Sequence, residues 1–488
     1  MERKHIIIKG ALFLFAGKIG NLILSSLQIL LIPRILGPSS MGFYSYWISV
    51  YFIIGRILGL GGQQIAIKYI PELRIKNKAS IPSLIIKAAS IKMPVFLVII
   101  GGGLFLWAKD YHFFLITAAA ALLFSLNLLG ESVLYSFNRM DLYALVPIVR
   151  LASRIALVLG LFYLFHHTGI VSGIFGAPLL AFLLSVFLVL PLIPKKKTPL
   201  EKSFNHYFSF GFWIYLSVAL QGLILWSIPI LAEFFGQSMD TVGFFGVGVQ
   251  ICFSAILLIF FISESTLPSL VEFQITDPNK FKDSLRFAWK YTNILLFPLV
   301  IGGYVLAQPL IRFVIGKEYL AGTVIIKLFF PAIIFLSWIR YHTHILFVFE
   351  KKTKIFFTHL INLGVFLGSW FFFVKTNQIE LAALSLSLGA FLSYLFILIH
   401  SFKLEKVKKY VSYIFKPLTA ASLMGVVVYF FHVHSFIQLV GVILIGGLTY
   451  GVFLFAFKGL GKYDIKIFKE FILQNKKNLK SKGQEDLF

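Results

Sequence analysis

Five basic residues stand inside apolar stretches of this 488-residue chain: Lys18, Arg56, Arg150, Arg154 and Lys327. A cation at the centre of a bilayer costs on the order of 2.5–3.5 kcal/mol on insertion scales, so each needs water, a partner or a ligand. Lys18 opens a series continued by Asn21, Ser25 and Gln28 at spacings of three or four residues, which lays a polar stripe along one face of a helix. Lipid cannot be what that face meets. By the same spacing Ser45, Ser49, Arg56 and Gln63 share a face of the next apolar run, while Arg150 and Arg154 form an i,i+4 pair on the fifth. Glu131, on the fourth run, is in register to answer Arg150 or Arg154, but one carboxylate cannot neutralise four cations. The chemistry on offer is anion binding, and the forked guanidinium suits phosphate or pyrophosphate. Farther along, Ser217 with Gln221 and Gln250 with Ser254 are polar i,i+4 pairs that suit sugar hydroxyls and equally suit bonds between helices.

The elements that must hold these residues are membrane-spanning helices. The chain is 58% hydrophobic and 13% charged, against roughly 45–50% and about 25% for soluble domains, which excludes an ordinary water-soluble enzyme. Fourteen apolar runs, the first at 6–32 and the last at 436–457, approach the ~20 residues needed to cross about 30 Å of hydrocarbon. The first run is too long for a secretory leader and no small-residue cleavage site follows it, so it is expected to be a helix of the mature protein. With the amino terminus in the cytoplasm, 35 of the 45 Lys and Arg fall in cytoplasmic segments and five on the opposite side. The positive-inside rule then predicts an even number of crossings with both termini cytoplasmic. The net charge of +25 is accordingly read as attraction to anionic lipid headgroups, with no nucleic-acid partner.

Other chemistry-bearing residues point nowhere specific. Cys252 is the single cysteine, in an apolar run, and is expected to pack; it excludes an intramolecular disulfide. His166 with His167, His342 with His344, and His432 with His434 lie at run ends without Cys or acids beside them, and are expected to pack at the interface, with no metal bound. The basic tail from Lys458 places Ile465, Phe468 and Ile472 on one helical face, suited either to the bilayer surface or to solvent.

An internal repeat organises the runs. Gly37-Pro38-Ser39-Ser40-Met41-Gly42-Phe43-Tyr44 follows the first run, and Gly236 to Phe245, containing Gly243-Phe244-Phe245, follows the seventh. Each is succeeded by a helix ending near a proline, Pro71 or Pro268, and then by a glycine-containing apolar run. Six helices per copy is an even number, so the copies share an orientation and are related by a pseudo-two-fold along the membrane normal. The expected organisation is an all-α polytopic protein of about 14 helices: an amino-terminal lobe at 1–200, a second lobe at 201–402, two further helices within 403–457 and a cytoplasmic tail at 458–488.

Two short motifs carry a family resemblance: Arg34-Ile35-Leu36-Gly37-Pro38 with Gly42-Phe43-Tyr44, and Gly316-Lys317-Glu318-Tyr319 with Ala321. With the helix number and length, they make the chain resemble the polysaccharide-flippase branch of the multidrug/oligosaccharidyl-lipid/polysaccharide exporter superfamily, which includes O-antigen flippases. The resemblance implies two six-helix lobes facing a central cavity, two extra carboxy-terminal helices, and alternating access by rocking. It implies a bacterial inner-membrane protein that moves a polyprenyl-pyrophosphate-linked oligosaccharide outward for surface polysaccharide and lipopolysaccharide synthesis, alongside glycosyltransferases and a polysaccharide polymerase of the same pathway. Lys18 and Arg56 fall on helices that line the cavity in such proteins; Arg150, Arg154, Asn21, Gln28, Gln221 and Gln250 complete the expected substrate-binding set.

No enzymatic activity and no cofactor are expected. No GxxxxGK[ST] loop is present for ATP, and no acidic cluster identifies a coupling ion. Two rival readings remain at this level. A drug exporter of the same superfamily calls for carboxylates in the cavity, to bind cations. A polytopic glycosyltransferase calls for acids or His on a sizeable outer loop, where the longest such segment, about 307–322, offers only Glu318.

Overall fold

Residues 2–106, 110–200, 203–402 and 412–460 of a computed structural model are described here, without the side chains of 2–16, 18, 104, 210, 213, 214, 217, 218, 261–265, 268, 269 and 275. Among them there is no strand, and nearly every residue is helical. In chain order the helices are α1 (Glu2–Ile57), α2 (Gly62–Lys76), α3 (Ile81–Ser90), α4 (Lys92–Leu106), α5 (Tyr111–Ser136), α6 (Met140–Val189), α7 (Phe204–Phe234) and α8 (Met239–Thr276). They continue as α9 (Pro278–Val305), α10 (Ala307–Leu310), α11 (Thr323–Leu328), α12 (Phe330–Val348), α13 (Lys352–Lys375), α14 (Leu384–Phe402), α15 (Ser412–Tyr429) and α16 (Phe436–Ala456). Nine helices among the described residues are long and apolar enough to cross a membrane, eleven if each of two bent pairs is one span. The protein is a multi-pass membrane protein of all-α class.

The two longest elements, α1 and α6, each contain two of the apolar runs. α1 is broken at Gly37, with φ 72° and ψ 170°, and α6 at His166, with φ 48° and ψ −125°. The second run, which the spacing reads as one helix through Gln63, ends instead at Ile57. A turn over 58–61 separates Arg56 on α1 from Gln63 on α2, so these two do not share a helical face.

The chain divides into two compact units. The first comprises Met1–Leu258 with Ile311–Ser401. In it α1 is central, packed on α5, α6 and α7. Ile65, Tyr69, Leu84, Leu129, Val133, Val146 and Tyr207 form a buried cluster that joins α2, α3, α5, α6 and the start of α7. The segment that leads from α6 to α7 is fastened to the start of α3. Ser83 Oγ donates to the Thr198 carbonyl at 2.5 Å, Ser80 Oγ to the Pro199 carbonyl at 2.9 Å, and Thr198 N to the Ala79 carbonyl at 2.9 Å, while Lys195, Lys196 and Lys197 stay exposed.

The two repeat motifs meet in this unit. A Cβ on Gly42 would stand 1.9 Å from the Met239 carbonyl oxygen, and one on Gly243 2.3 Å from the Pro38 carbonyl oxygen, so two backbones cross where neither residue can carry a side chain. Close by, Tyr319 Oη donates to the Pro33 carbonyl at 2.9 Å, joining the second short motif to the first. The second unit comprises Ile259–Leu310 with Phe402–Phe488. There α9 packs on α15 and α16, Tyr450 Oη donates to the Ile294 carbonyl at 2.7 Å, and an apolar groove of about 260 Å³ is lined by residues such as Leu306, Met424 and Val442.

Gly42→Val is expected to destabilise the protein by about 1–3 kcal/mol, the usual cost of overpacking, as read by thermal unfolding in detergent. Gly101→Ala, where no atom lies within 4 Å of the new Cβ, is expected to leave the transition unchanged.

Candidate functional site

The expected site residues separate by what each one touches. Arg150 on α6 is spoken for: its Nη1 donates to Glu131 Oε1 and Asn127 Oδ1 of α5, and its guanidinium lies 5.1 Å from the Phe124 ring centroid. The one acid of this region therefore goes to Arg150. Arg154, one turn on, is 5% exposed. It finds no carboxylate among the described residues. Its Nη2 donates to Tyr51 Oη at 3.3 Å, its guanidinium lies over Tyr51 and Phe52 of α1 at 5.4 and 5.3 Å, and its buried Nε has no hydrogen-bond partner. A desolvated cation–π contact contributes up to about 2 kcal/mol, which offsets part of the burial cost without cancelling the charge.

Arg56 occupies the last turn of α1 and is half-buried. Its side chain runs against α7 at Gly222, where a Cβ would stand 3.0 Å from Nε, and that Nε makes no hydrogen bond. No described carboxylate pairs with it. One turn earlier on α1, Phe52 stacks on Trp226 of α7, with centroids 4.1 Å apart and planes 26° apart. Arg154 covers Phe52 from the α6 side. The structure thus brings Arg56 and Arg154 to the surroundings of one aromatic stack, and sends Arg150 away to α5.

The polar residues are distributed around α1. Gln28 Nε2 donates to Tyr44 Oη at 3.3 Å, leaving its Oε1 buried without a partner, whereas Asn21 Nδ2 donates back to the Gly17 carbonyl of its own helix at 3.1 Å. Ser45 points at α8, where a Cβ on Gly246 would stand 1.9 Å from its Oγ. Gln250, one turn farther along α8, is buried with Oε1 unpartnered, and Gln221 is half-buried on α7 beside Gly222. Lys18 lies on α1, but its side chain is outside the described residues, as are those of Ser217 and Glu264 and the tail beyond residue 460.

One residue escaped the reading of spacing. Lys92, one of the 35 basic residues assigned to cytoplasmic segments, is turned inward at the start of α4 and is 1% exposed. Its position at the head of an apolar run, without an acid nearby in sequence, is the only signal it leaves there. The histidine expectation also needs correction. His342 and His344 are buried within the bundle rather than at an interface, and His342 Nδ1 lies 2.8 Å from Ser401 Oγ. Among the described residues, no group of three His, Cys, Asp or Glu is placed to hold a metal ion.

What the arrangement offers is α1 packed on both α6 and α7, with Arg154 and Arg56, neither paired with a described carboxylate, set about the Phe52–Trp226 stack. The fold is one that solved membrane-transporter structures share. A solved structure described as "Lipid II flippase MurJ, inward closed conformation" superposes with a TM-score of 0.68 at 17% identity, over 91% of this chain and 98% of that one. An inward-facing multidrug resistance MATE family transporter of the MOP superfamily gives 0.62 at 12% identity, over 80% and 96%. A point mutant of the Vibrio cholerae MATE transporter VcmN gives 0.58 at 14% identity, over 83% and 99%. No curated protein matches the chain. The family model described as "Polysaccharide biosynthesis protein" matches residues 7–274, more than half of the sequence, and the chain belongs to that family.

Glu131→Gln is expected to destabilise the protein by about 3–5 kcal/mol, because it strands the Arg150 guanidinium in the interior. The double change of Glu131 and Arg150 to Leu and Met is expected to recover most of that loss. Thermal unfolding of the three forms in one detergent checks it, and equal losses in single and double variants would contradict the pairing.

Proposed function

We propose that the protein is a flippase that carries a polyprenyl-pyrophosphate-linked oligosaccharide across the bacterial inner membrane for synthesis of a surface polysaccharide. The observation that carries this reading is Arg56: a half-buried guanidinium, without a carboxylate, held against α7 beside the Phe52–Trp226 stack. A guanidinium in that setting favours an anion with several oxygens, and a pyrophosphate supplies them. Membership in a polysaccharide-biosynthesis family and a fold shared with a structure titled as a lipid II flippase support a lipid-linked substrate. A multidrug exporter shares the fold, but a basic pocket repels the cationic compounds such a protein would export.

In this mechanism the cavity opens to the cytoplasm and the basic groups take the pyrophosphate. Gln28, Gln221 and Gln250 offer amides to the glycan, and the polyprenyl chain stays in lipid. Two lobes, 1–200 and 201–402, then rock about the crossing of Gly42 and Gly243, residues equivalent in the two repeats, and expose the cavity outward. An inside-negative potential favours outward movement of negative charge by about 2.3 kcal/mol per charge per 100 mV, and equally favours the return of the emptied, positive cavity. This chain performs translocation and no bond-making step, while glycosyltransferases supply the substrate and a polymerase consumes it. Both termini lie in the cytoplasm, where the basic segments meet anionic headgroups.

Arg56→Ala is expected to abolish appearance of the lipid-linked glycan in the outer leaflet at unchanged protein level, and Lys327→Ala to leave it near normal. The check is glycan export in cells depleted of the native protein, with membrane abundance measured in parallel. Full export by the combined Lys18→Ala and Arg56→Ala variant would overturn the reading.

A further inference from the structure

We infer that Lys92 is a positioning residue for Arg56: it holds the turn at the end of α1 in the one conformation that aims Arg56 at α7. The inference rests on the anion-capturing role proposed above for Arg56. A buried ammonium has three donors to satisfy and, with no carboxylate, needs three neutral acceptors. Lys92 Nζ has them, in the Leu58 carbonyl at 2.7 Å, the Gly59 carbonyl at 3.1 Å and Ser125 Oγ at 2.7 Å. Ser125 Oγ in turn donates to the Leu58 carbonyl at 2.9 Å, closing a ring that ties α4 and α5 to the turn.

That turn is not one the chain adopts by default. Leu60 sits at φ 46° and Gly61 at φ 76°, two successive left-handed residues, of which leucine is a poor candidate. The Leu58 and Gly59 carbonyls lie just beyond α1, where the end of a helix leaves carbonyl oxygens without helical donors and favours a cation. Without the ammonium the Leu58 carbonyl would keep only the Ser125 hydroxyl and the Gly59 carbonyl only the Gly62 N–H at 3.0 Å, each losing its charged donor and the tie to α4. Arg56 is two residues before Leu58, and its own carbonyl accepts from Gly59 N at 3.1 Å, so its backbone is part of the same turn. The turn is also pressed against α7. A Cβ on Gly59 would stand 2.6 Å from the Tyr215 ring, and one on Gly61 2.5 Å from the Gly211 carbonyl carbon. Lys92 and α7 therefore both bear on the turn, and Arg56 is carried with it.

The test uses the full-length protein in detergent, with two readouts. The first is the rate at which phenylglyoxal labels Arg56, followed by peptide mass spectrometry. The second is the affinity for geranylgeranyl pyrophosphate, an isoprenoid pyrophosphate probe. Lys92→Met is expected to change the labelling rate at least about threefold and to weaken probe binding at least about tenfold. In an Arg56→Ala background it is expected to weaken binding by less than about twofold, because residues acting through one another do not add. Should Lys92→Met fail to fold, Ser125→Ala removes one link of the ring and is read the same way, with smaller changes. Unchanged labelling of Arg56 in a folded Lys92 or Ser125 variant, or an equal loss of binding with and without Arg56, would overturn the inference and leave Lys92 a plain structural tie. Probe binding that survives Arg56→Ala would instead count against Arg56 as the anion site, and labelling alone would then decide the role of Lys92.

Discussion

Hydrocarbon offers no partner to a charge or to a backbone carbonyl, and the structure of this protein is largely the set of answers to that shortage. Four cations of the first six helices are answered in four ways. Arg150 takes the carboxylate of Glu131 and the amide of Asn127. Lys92 takes backbone carbonyls and a serine. Arg154 takes the faces and hydroxyl of aromatic side chains, an arrangement that solvates a guanidinium but leaves its charge in place. Arg56 is left partly open against α7. The differences matter more than the number. A paired cation holds helices together, while an unpaired one keeps its charge.

The same shortage governs where the helices stop. A helix satisfies its own backbone, so each interruption within the membrane must be supplied with donors or acceptors by neighbours. The break at 58–61 is supplied by Lys92 and Ser125, and the motif ahead of the break at Gly37 by Tyr319, which reaches the Pro33 carbonyl from the second short motif. Where backbones themselves must approach, as at Gly42 and Gly243, the side chains are simply absent. These contacts account for residue types in motifs far apart in sequence, which meet where helices cross. The chain belongs to the polysaccharide-biosynthesis family, and it shares its fold with solved transporters at identities too low to transfer a substrate.

Composition, run length and charge placement were enough to establish the class of this protein from its sequence, because the bilayer is a uniform solvent and imposes one rule on every segment that crosses it. The buried cations were visible for the same reason: Arg56, Arg150 and Arg154 violate that rule wherever the helices happen to lie. Their fates were not visible. Spacing placed Arg150 and Arg154 on one face, yet one reaches α5 and the other α1, since an arginine's long side chain decides its partner after the backbone is set. Spacing also carried the face of Arg56 on to Gln63 through a turn held open by a lysine that approaches from a separate helix. Tertiary packing alone decided which cation is neutralised, which is merely solvated and which stays available, because counterions and capping groups are contributed across helices and periodicity describes only one helix at a time.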